Sequence, residues 1–307
     1  ASTTRDTAMY TDGWAASGRL TGVSGVSVTN GAAGSTPTYT LLSGVDTDVV
    51  PANLVTREYQ LCLKCHSGFT TLTSNTGLKP SQYALDKGVE FNPANPSFHP
   101  VEAKGTNGTP AMIASLAGSS PYKLWNFTVD QTVRCLNCHA SSSTPDLTPT
   151  GAPPSDTTLP LPGGALAPHT SVNRGILIRN YRDRELKPHS STATDAAYSS
   201  ADFALCYVCH GEAPFGPPGA YPAAQASSQT NFALHSKHLT GLVEKGPVGT
   251  NIDAAGDGGG NAICAECHFR LHSTAFPAET QTQTQTLSGS RLVSFAPNVE
   301  PYNGVLS

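Results

Sequence analysis

The sequence predicts a mostly irregular chain with short helices and a few short β-strands, organised around bound groups instead of an apolar core. Three observations predict it. Apolar residues make up 38% of the 307 residues, below the roughly 45–50% of ordinary globular domains, a share that also counts Gly. Gly (29) and Pro (24) are abundant and break up long elements. All eight Cys fall into four copies of one five-residue pattern spread along the chain.

The same numbers exclude several classes. Gly shows no three-residue period, so the chain is not collagen-like. Charged residues are only 13%, too few for a charged disordered tail. A formal net charge of −4 gives no footprint for nucleic acid. No stretch approaches about 18 uncharged apolar residues, so no membrane span is expected.

One domain over residues 1–307 is expected, in three stretches. Residues 1–55 are rich in Ser, Thr, Gly and Val. There Leu20-Thr21-Gly22-Val23-Ser24-Gly25-Val26-Ser27-Val28-Thr29 alternates small and β-branched residues, which reads as short strands and turns. Residues 56–275 hold the repeated pattern. Within them, Ser199-Ser200-Ala201-Asp202 resembles a capping box ahead of Phe203, Leu205, Cys206 and Cys209. Asn231 to Leu239 reads as a short helix, and Gly151 to Pro168 as a proline-rich loop. Residues 276–307 form a C-terminal tail. Its polar stretch 278–290 reads as an edge strand or a solvated linker, and residues 291–299 as a final short strand.

The repeated pattern is C-x-x-C-H. It occurs as Cys62-Leu63-Lys64-Cys65-His66, Cys135-Leu136-Asn137-Cys138-His139, Cys206-Tyr207-Val208-Cys209-His210 and Cys264-Ala265-Glu266-Cys267-His268. The composition alone would give about 0.007 copies by chance. The copies start 73, 71 and 58 residues apart, which suggests four similar binding units. The pattern is the attachment signature of c-type haem. On a helical turn, positions i, i+3 and i+4 share a face. Two thiols can then bond to two haem vinyl groups while the His ring reaches the iron from the same side. Four C-x-x-C pairs would also suit two zinc sites of four thiolates each, but those leave every following His idle. Four disulfides leave the His idle too. A thioredoxin-like motif occurs once in a βαβ setting, not four times in a Gly/Pro-rich chain. Four covalently attached haem c groups, held by the eight Cys, are therefore the expected cofactors. Being large, flat and mostly apolar, they can stand in for the missing core.

His66, His139, His210 and His268 supply one ligand per iron. Met9 and Met112 are the only methionines, so four Met-ligated irons are impossible. Six His lie outside the motifs: His99, His169, His189, His235, His238 and His272. Four would suffice for two His on every iron. His235 and His238, at i and i+3, would serve two neighbouring haems from one helix face, with side-chain origins about 5–6 Å apart. If the last motif's helix continues, His268 and His272 point the same way and belong to different irons. His99 and His169 sit beside prolines that stiffen a loop. His189 lacks a helical partner and ranks last. An iron with both axial positions filled has no open site for substrate, so no enzyme is expected.

These motifs, with Phe98-His99-Pro100-Val101, Pro168-His169-Thr170-Ser171, the Leu234-His235…His238 pair and Cys267-His268-Phe269-Arg270-Leu271-His272, resemble the multihaem c-type cytochromes. More narrowly, the pattern is similar to the tetrahaem extracellular cytochromes of the OmcE-like type, which polymerise into filaments. The match spans roughly residues 60–275. The resemblance implies a continuous chain of bis-His haems, with at least one iron ligated by a His of the adjacent subunit. It also implies extracellular electron transfer by a head-to-tail homopolymer, a nanowire, with redox partners at the cell surface and an acceptor outside it. A ligand donated in trans makes a heterologous contact, and such contacts propagate. The alternative is a soluble or surface-bound monomeric shuttle.

Covalent haem attachment takes place outside the cytoplasmic membrane, so an exported, extracellular or cell-surface protein is expected. The chain opens at Ala1 with no apolar h-region, as a removed signal peptide would leave it. Asn107-Gly108-Thr109 and Asn126-Phe127-Thr128 match the N-glycosylation pattern, which short triplets also meet by chance.

Changing Cys138 to Ala removes one of two tethers in the second motif only. The second haem should then hang more weakly, by Cys135 alone, and keep one unreacted vinyl group, so the reduced pyridine complex of that haem should absorb further to the red while the other three stay in place. A shift of all four, or of none, would contradict the reading of four separate attachment sites.

Overall fold

The computed structural model describes residues 23–43, 55–70, 86–140, 168–169, 171, 173–179, 181, 203–212, 214–215, 235–240, 264–268, 270–274 and 290–292. Its strands are β1 (Gly25–Thr29) and β2 (Thr38–Leu42). Its helices are α1 (Glu58–Cys62), α2 (Lys87–Phe91), α3 (Pro110–Ala117), α4 (Cys135–Cys138), α5 (Ala204–Tyr207), α6 (His235–Thr240) and α7 (Cys264–Cys267). The described residues fall into two compact units. The first takes in residues up to Thr106, Asp130–Cys135 and residues from Arg270; the second takes in Asn107–Val129 and Leu136–Phe269.

In the first unit, β1 and β2 pair antiparallel, from Gly25 opposite Leu42 to Thr29 opposite Thr38. Val26 and Val28 favour the extended form, and Val26 is fully buried. Gly25 is where α1 comes closest: a Cβ there would lie 2.8 Å from the Gln60 carbonyl oxygen. Only Gly permits that approach. α1 starts where the Gln60 side chain accepts from the backbone N–H groups of Thr56 (2.9 Å) and Arg57 (3.0 Å). These are donors with no partner inside the helix. α2 starts at Asp86, whose carboxylate accepts from Gly88 N at 3.0 Å, an N-cap.

Polar pins hold this unit as much as apolar contacts do. Asn95 donates to the Val89 carbonyl (2.8 Å), the Glu90 carbonyl (2.9 Å) and Ser273 Oγ (3.2 Å). Asn92, fully buried, donates to the carbonyls of Gly31 and Ala32. A buried ion pair joins Arg134 to Glu58 at 3.6 Å. Phe98 bridges Ser273, so residues 97–99 run antiparallel to 272–274.

In the second unit, α3 starts at Thr109, whose hydroxyl accepts from Met112 N at 3.4 Å, with Pro110 in the first turn. Tyr122, Phe203, Ala204, Tyr207 and Leu239 form the buried cluster, and Tyr181, Phe215, Cys206 and Cys264 pack against it. The Val208 carbonyl accepts from both Leu124 N and Trp125 N at 3.0 Å. A Cβ on Gly211 would meet the Gly118 backbone at 2.5 Å, so the two strands of chain pass each other only as glycines.

Two expectations are corrected. Arg291 and Leu292 are not extended: Ser290–Leu292 is a 3-10 turn, with φ 62° at Arg291 and φ 58° at Leu292. The Leu292 N–H is held there by Ser97 Oγ. The last motif's helix stops at Cys267, and residues 270–274 bend into the bridge with Phe98, so no helix carries both His268 and His272. Residues 1–22, His189, the box Ser199–Asp202, residues 231–234 and most of the tail lie outside the described residues.

Burial pushes the Glu102 carboxyl up to about 7, against the bond from Asn30 Nδ2 at 2.7 Å, while the Asp86 charge adds to the rise. In the unfolded chain the same group loses its proton in the ordinary carboxylate range. Between those pH values the folded chain holds the extra proton. Stability is therefore full at low pH and falls as pH rises through about 7. At about 1.4 kcal/mol per pKa unit, the loss is at most about 3 kcal/mol. Urea unfolding from pH 5 to 8 should show this slope, and Glu102→Gln should flatten it.

Candidate functional site

Each C-x-x-C-H copy sits on a short helical turn. In three copies the His N–H closes onto the first Cys carbonyl: His66 to Cys62 (2.9 Å), His210 to Cys206 (3.0 Å) and His268 to Cys264 (2.8 Å). That is the helical i to i−4 bond. In the fourth, α4 runs from the first Cys to the second, and His139 follows it. The turn brings both sulfurs and the imidazole to one side of the backbone.

None of the eight cysteines is in a disulfide. In the second unit, burial pushes the Cys138 thiol up to about 12, with the Cys206 charge adding. Burial, then the charge of Cys138, also raises Cys209. Cys264 and Cys206 meet directly. That bond holds the Cys264 thiol up and pulls Cys206 down, as a donor S–H and its acceptor should. Thiols of the second, third and fourth motifs thus influence one another. In the first unit, Glu58, Cys62 and Cys135 place their ligand atoms within 4.8 Å of one another. The Arg134 guanidinium claims that carboxylate.

Four histidines are anchored through Nδ1. His99 Nδ1 meets the Leu271 carbonyl, and the backbone N–H of His99 donates to the His272 carbonyl at 2.9 Å. His272 Nδ1 meets Glu90 Oε2 at 2.8 Å, and its ring packs on Phe91 with centroids 4.9 Å apart. His139 Nδ1 meets the Gly175 carbonyl at 3.1 Å, and His210 Nδ1 meets Ser115 Oγ at 2.8 Å. A carbonyl or carboxylate oxygen can only accept, so Nδ1 of His99, His139 and His272 carries the proton. The lone pair then resides on Nε2, the atom available to a metal.

The second unit also lines up aromatic rings. Phe215 stands edge-on to His210 (6.4 Å) and to His235 (5.5 Å). His235 and His268 lie 6.4 Å apart, with ring planes only 21° apart. His238 follows one turn later on α6. His169 is exposed, with φ 66°. Burial lowers the Lys123 ammonium, which donates to the carbonyls of Leu116 (2.8 Å) and Cys209.

Sequence reasoning missed Glu90, Phe91, Ser115, Lys123, Gly175 and Phe215. Glu90 lies 182 residues from His272, and Ser115 lies 95 from His210. No local pattern marks such a pair. No known protein family, curated protein or solved structure matches this chain.

Gly175 has φ 73°, which a β-branched residue strongly disfavours. Gly175→Val should cost about 1–2 kcal/mol and shift the carbonyl that His139 uses. Gly108, with open space around its Cβ position, is the control: Gly108→Val should stay within about 0.5 kcal/mol. Denaturant midpoints of the two variants check this.

Proposed function

We propose that this chain carries electrons through four covalently attached c-type haems, each iron held by two histidines, and that it is the repeating subunit of an extracellular filament. The observation that carries the reading is the fourfold C-x-x-C-H turn. Cys62 and Cys65, Cys135 and Cys138, Cys206 and Cys209, and Cys264 and Cys267 would hold the porphyrins. His66, His139, His210 and His268 would each give one ligand to iron.

The donor set fits that group. Metal-bound histidines almost always donate their second ring nitrogen to a carboxylate, carbonyl or water. His99, His139 and His272 do so, and His210 meets a hydroxyl. The His235–His268 pair fits a shared metal. With a metal–nitrogen bond of about 2 Å and a ring radius of about 1 Å, two imidazoles on opposite sides of one metal have centres about 6 Å apart. Theirs are 6.4 Å apart. His235 is therefore our assignment for the second ligand beside His268. His99, His169, His238 and His272 remain candidates for the other irons.

Haem supplies one-electron chemistry when bound. The chain's own residues set the tautomers of His99, His139 and His272, and two histidines on each iron would leave no position open for a substrate. The filament part rests on the resemblance and on a ligand supply that allows one His to act in trans. A monomeric shuttle is the rival.

His169→Gly separates a ligand from a structural residue. Gly tolerates φ 66° better than His does, so the change puts no strain on the backbone. If His169 is a ligand, one low-spin haem in four becomes high-spin; an unchanged low-spin spectrum removes His169 from the ligand set. Negative-stain microscopy of the unmodified protein should show ordered fibres. Four low-spin haems on dispersed monomers would leave electron transfer standing and remove the filament. Carbon monoxide binding by the reduced, unmodified protein would contradict full axial coordination.

A further inference from the structure

The histidines anchored through Nδ1 do not share one kind of partner, and the differences have a sign. His272 donates to a carboxylate, Glu90 Oε2, at 2.8 Å. His99 and His139 donate to neutral carbonyls, those of Leu271 and Gly175. His210 meets a neutral hydroxyl, Ser115 Oγ, at 2.8 Å. Next to it in the chain, the Cys209 carbonyl accepts from the Lys123 ammonium, which also donates to the Leu116 carbonyl at 2.8 Å.

An acceptor with full negative charge draws the Nδ1 proton and makes the opposite nitrogen a stronger donor to metal. A stronger, more negative ligand favours the oxidised metal and lowers its potential. A cation held beside the site acts the other way, and partial burial keeps water from screening it. Glu90 is well covered, with its side chain 15% exposed. Lys87, whose Nζ shares the same Oε2 at 2.6 Å, opposes that effect.

On the reading of a bis-His tetrahaem chain, we propose that Glu90 and Lys123 set two of the four irons apart in potential. The iron held by His272 is the low-potential site. The iron held by His210 is the high-potential site. Glu90 and Lys123 are positioning residues: one acts through an imidazole, the other through a motif carbonyl and its own charge. The four cofactors are chemically identical, so the surrounding side chains are what can bias the direction of electron flow.

The experiment is a potentiometric titration of the full-length haem-loaded protein, followed by optical spectra and by electron paramagnetic resonance of frozen samples. Glu90→Gln keeps the shape and removes the charge. It should raise the lowest of the four midpoints, by about 59 mV for each tenfold change in the one-electron equilibrium. Lys87→Met removes the competing cation on the same oxygen and should lower that midpoint. Lys123→Met should lower the highest midpoint and leave the lowest in place. A merely loosened structure would not move one potential in opposite directions for two neighbours. Unmoved midpoints in Glu90→Gln with four low-spin haems intact would overturn the inference. So would shifts of one sign in both Glu90→Gln and Lys87→Met. If Glu90→Gln fails to fold, Lys87→Met and Lys123→Met decide the matter on their own. An unmodified protein with no Soret band would instead overturn the tetrahaem reading, and the inference with it.

Discussion

Two thiols and an imidazole can meet one flat group only if they leave the backbone from the same side. One helical turn is the shortest stretch of chain that does this. Three of the seven described helices have about that length. α4, α5 and α7 span four residues each, and α3, at eight, is the longest among the described residues. Extending them would add apolar faces that this composition cannot cover. In three of the four motifs the His N–H closes on the first Cys carbonyl, a bond made within the motif itself.

With such short elements, the chain between them needs other anchors. In the first unit these are polar. Asn92 donates to the carbonyls of Gly31 and Ala32, and Asn95 to the carbonyls of Val89 and Glu90 at the end of α2; each such bond contributes about 1 kcal/mol. In the second unit an aromatic cluster around Tyr122 and Tyr207 packs directly against two of the motif cysteines, Cys206 and Cys264. The proposed porphyrins would extend that apolar surface. The same economy governs the histidines. Their partners are backbone carbonyls, a serine and one well-covered glutamate; the carbonyls and the glutamate fix a tautomer without asking for a large scaffold.

Local chemistry was legible in the sequence and distant chemistry was not. The Cys and His of each motif lie within five residues, so spacing alone places them on one face. β1 was legible from alternating Val, and α6 from the run ending at Leu239. The segment after Arg291 misleads because Leu292 and Val293 have strand propensity, whereas Ser97 Oγ captures the Leu292 N–H and holds a turn. A continuous helix from His268 to His272 fails for a similar reason: the bridge between Phe98 and Ser273 bends the chain away. Glu90 and Ser115 find their histidines only through the fold, and nothing near them in the chain signals it.

The most direct test of the whole account is the number of haems that stay on the polypeptide after denaturation and organic extraction, measured as the reduced pyridine complex per chain. Four bound groups are expected, held by sulfur and not by folding. A chain that releases its colour, binds fewer than four, or carries zinc in their place would contradict the account at its root.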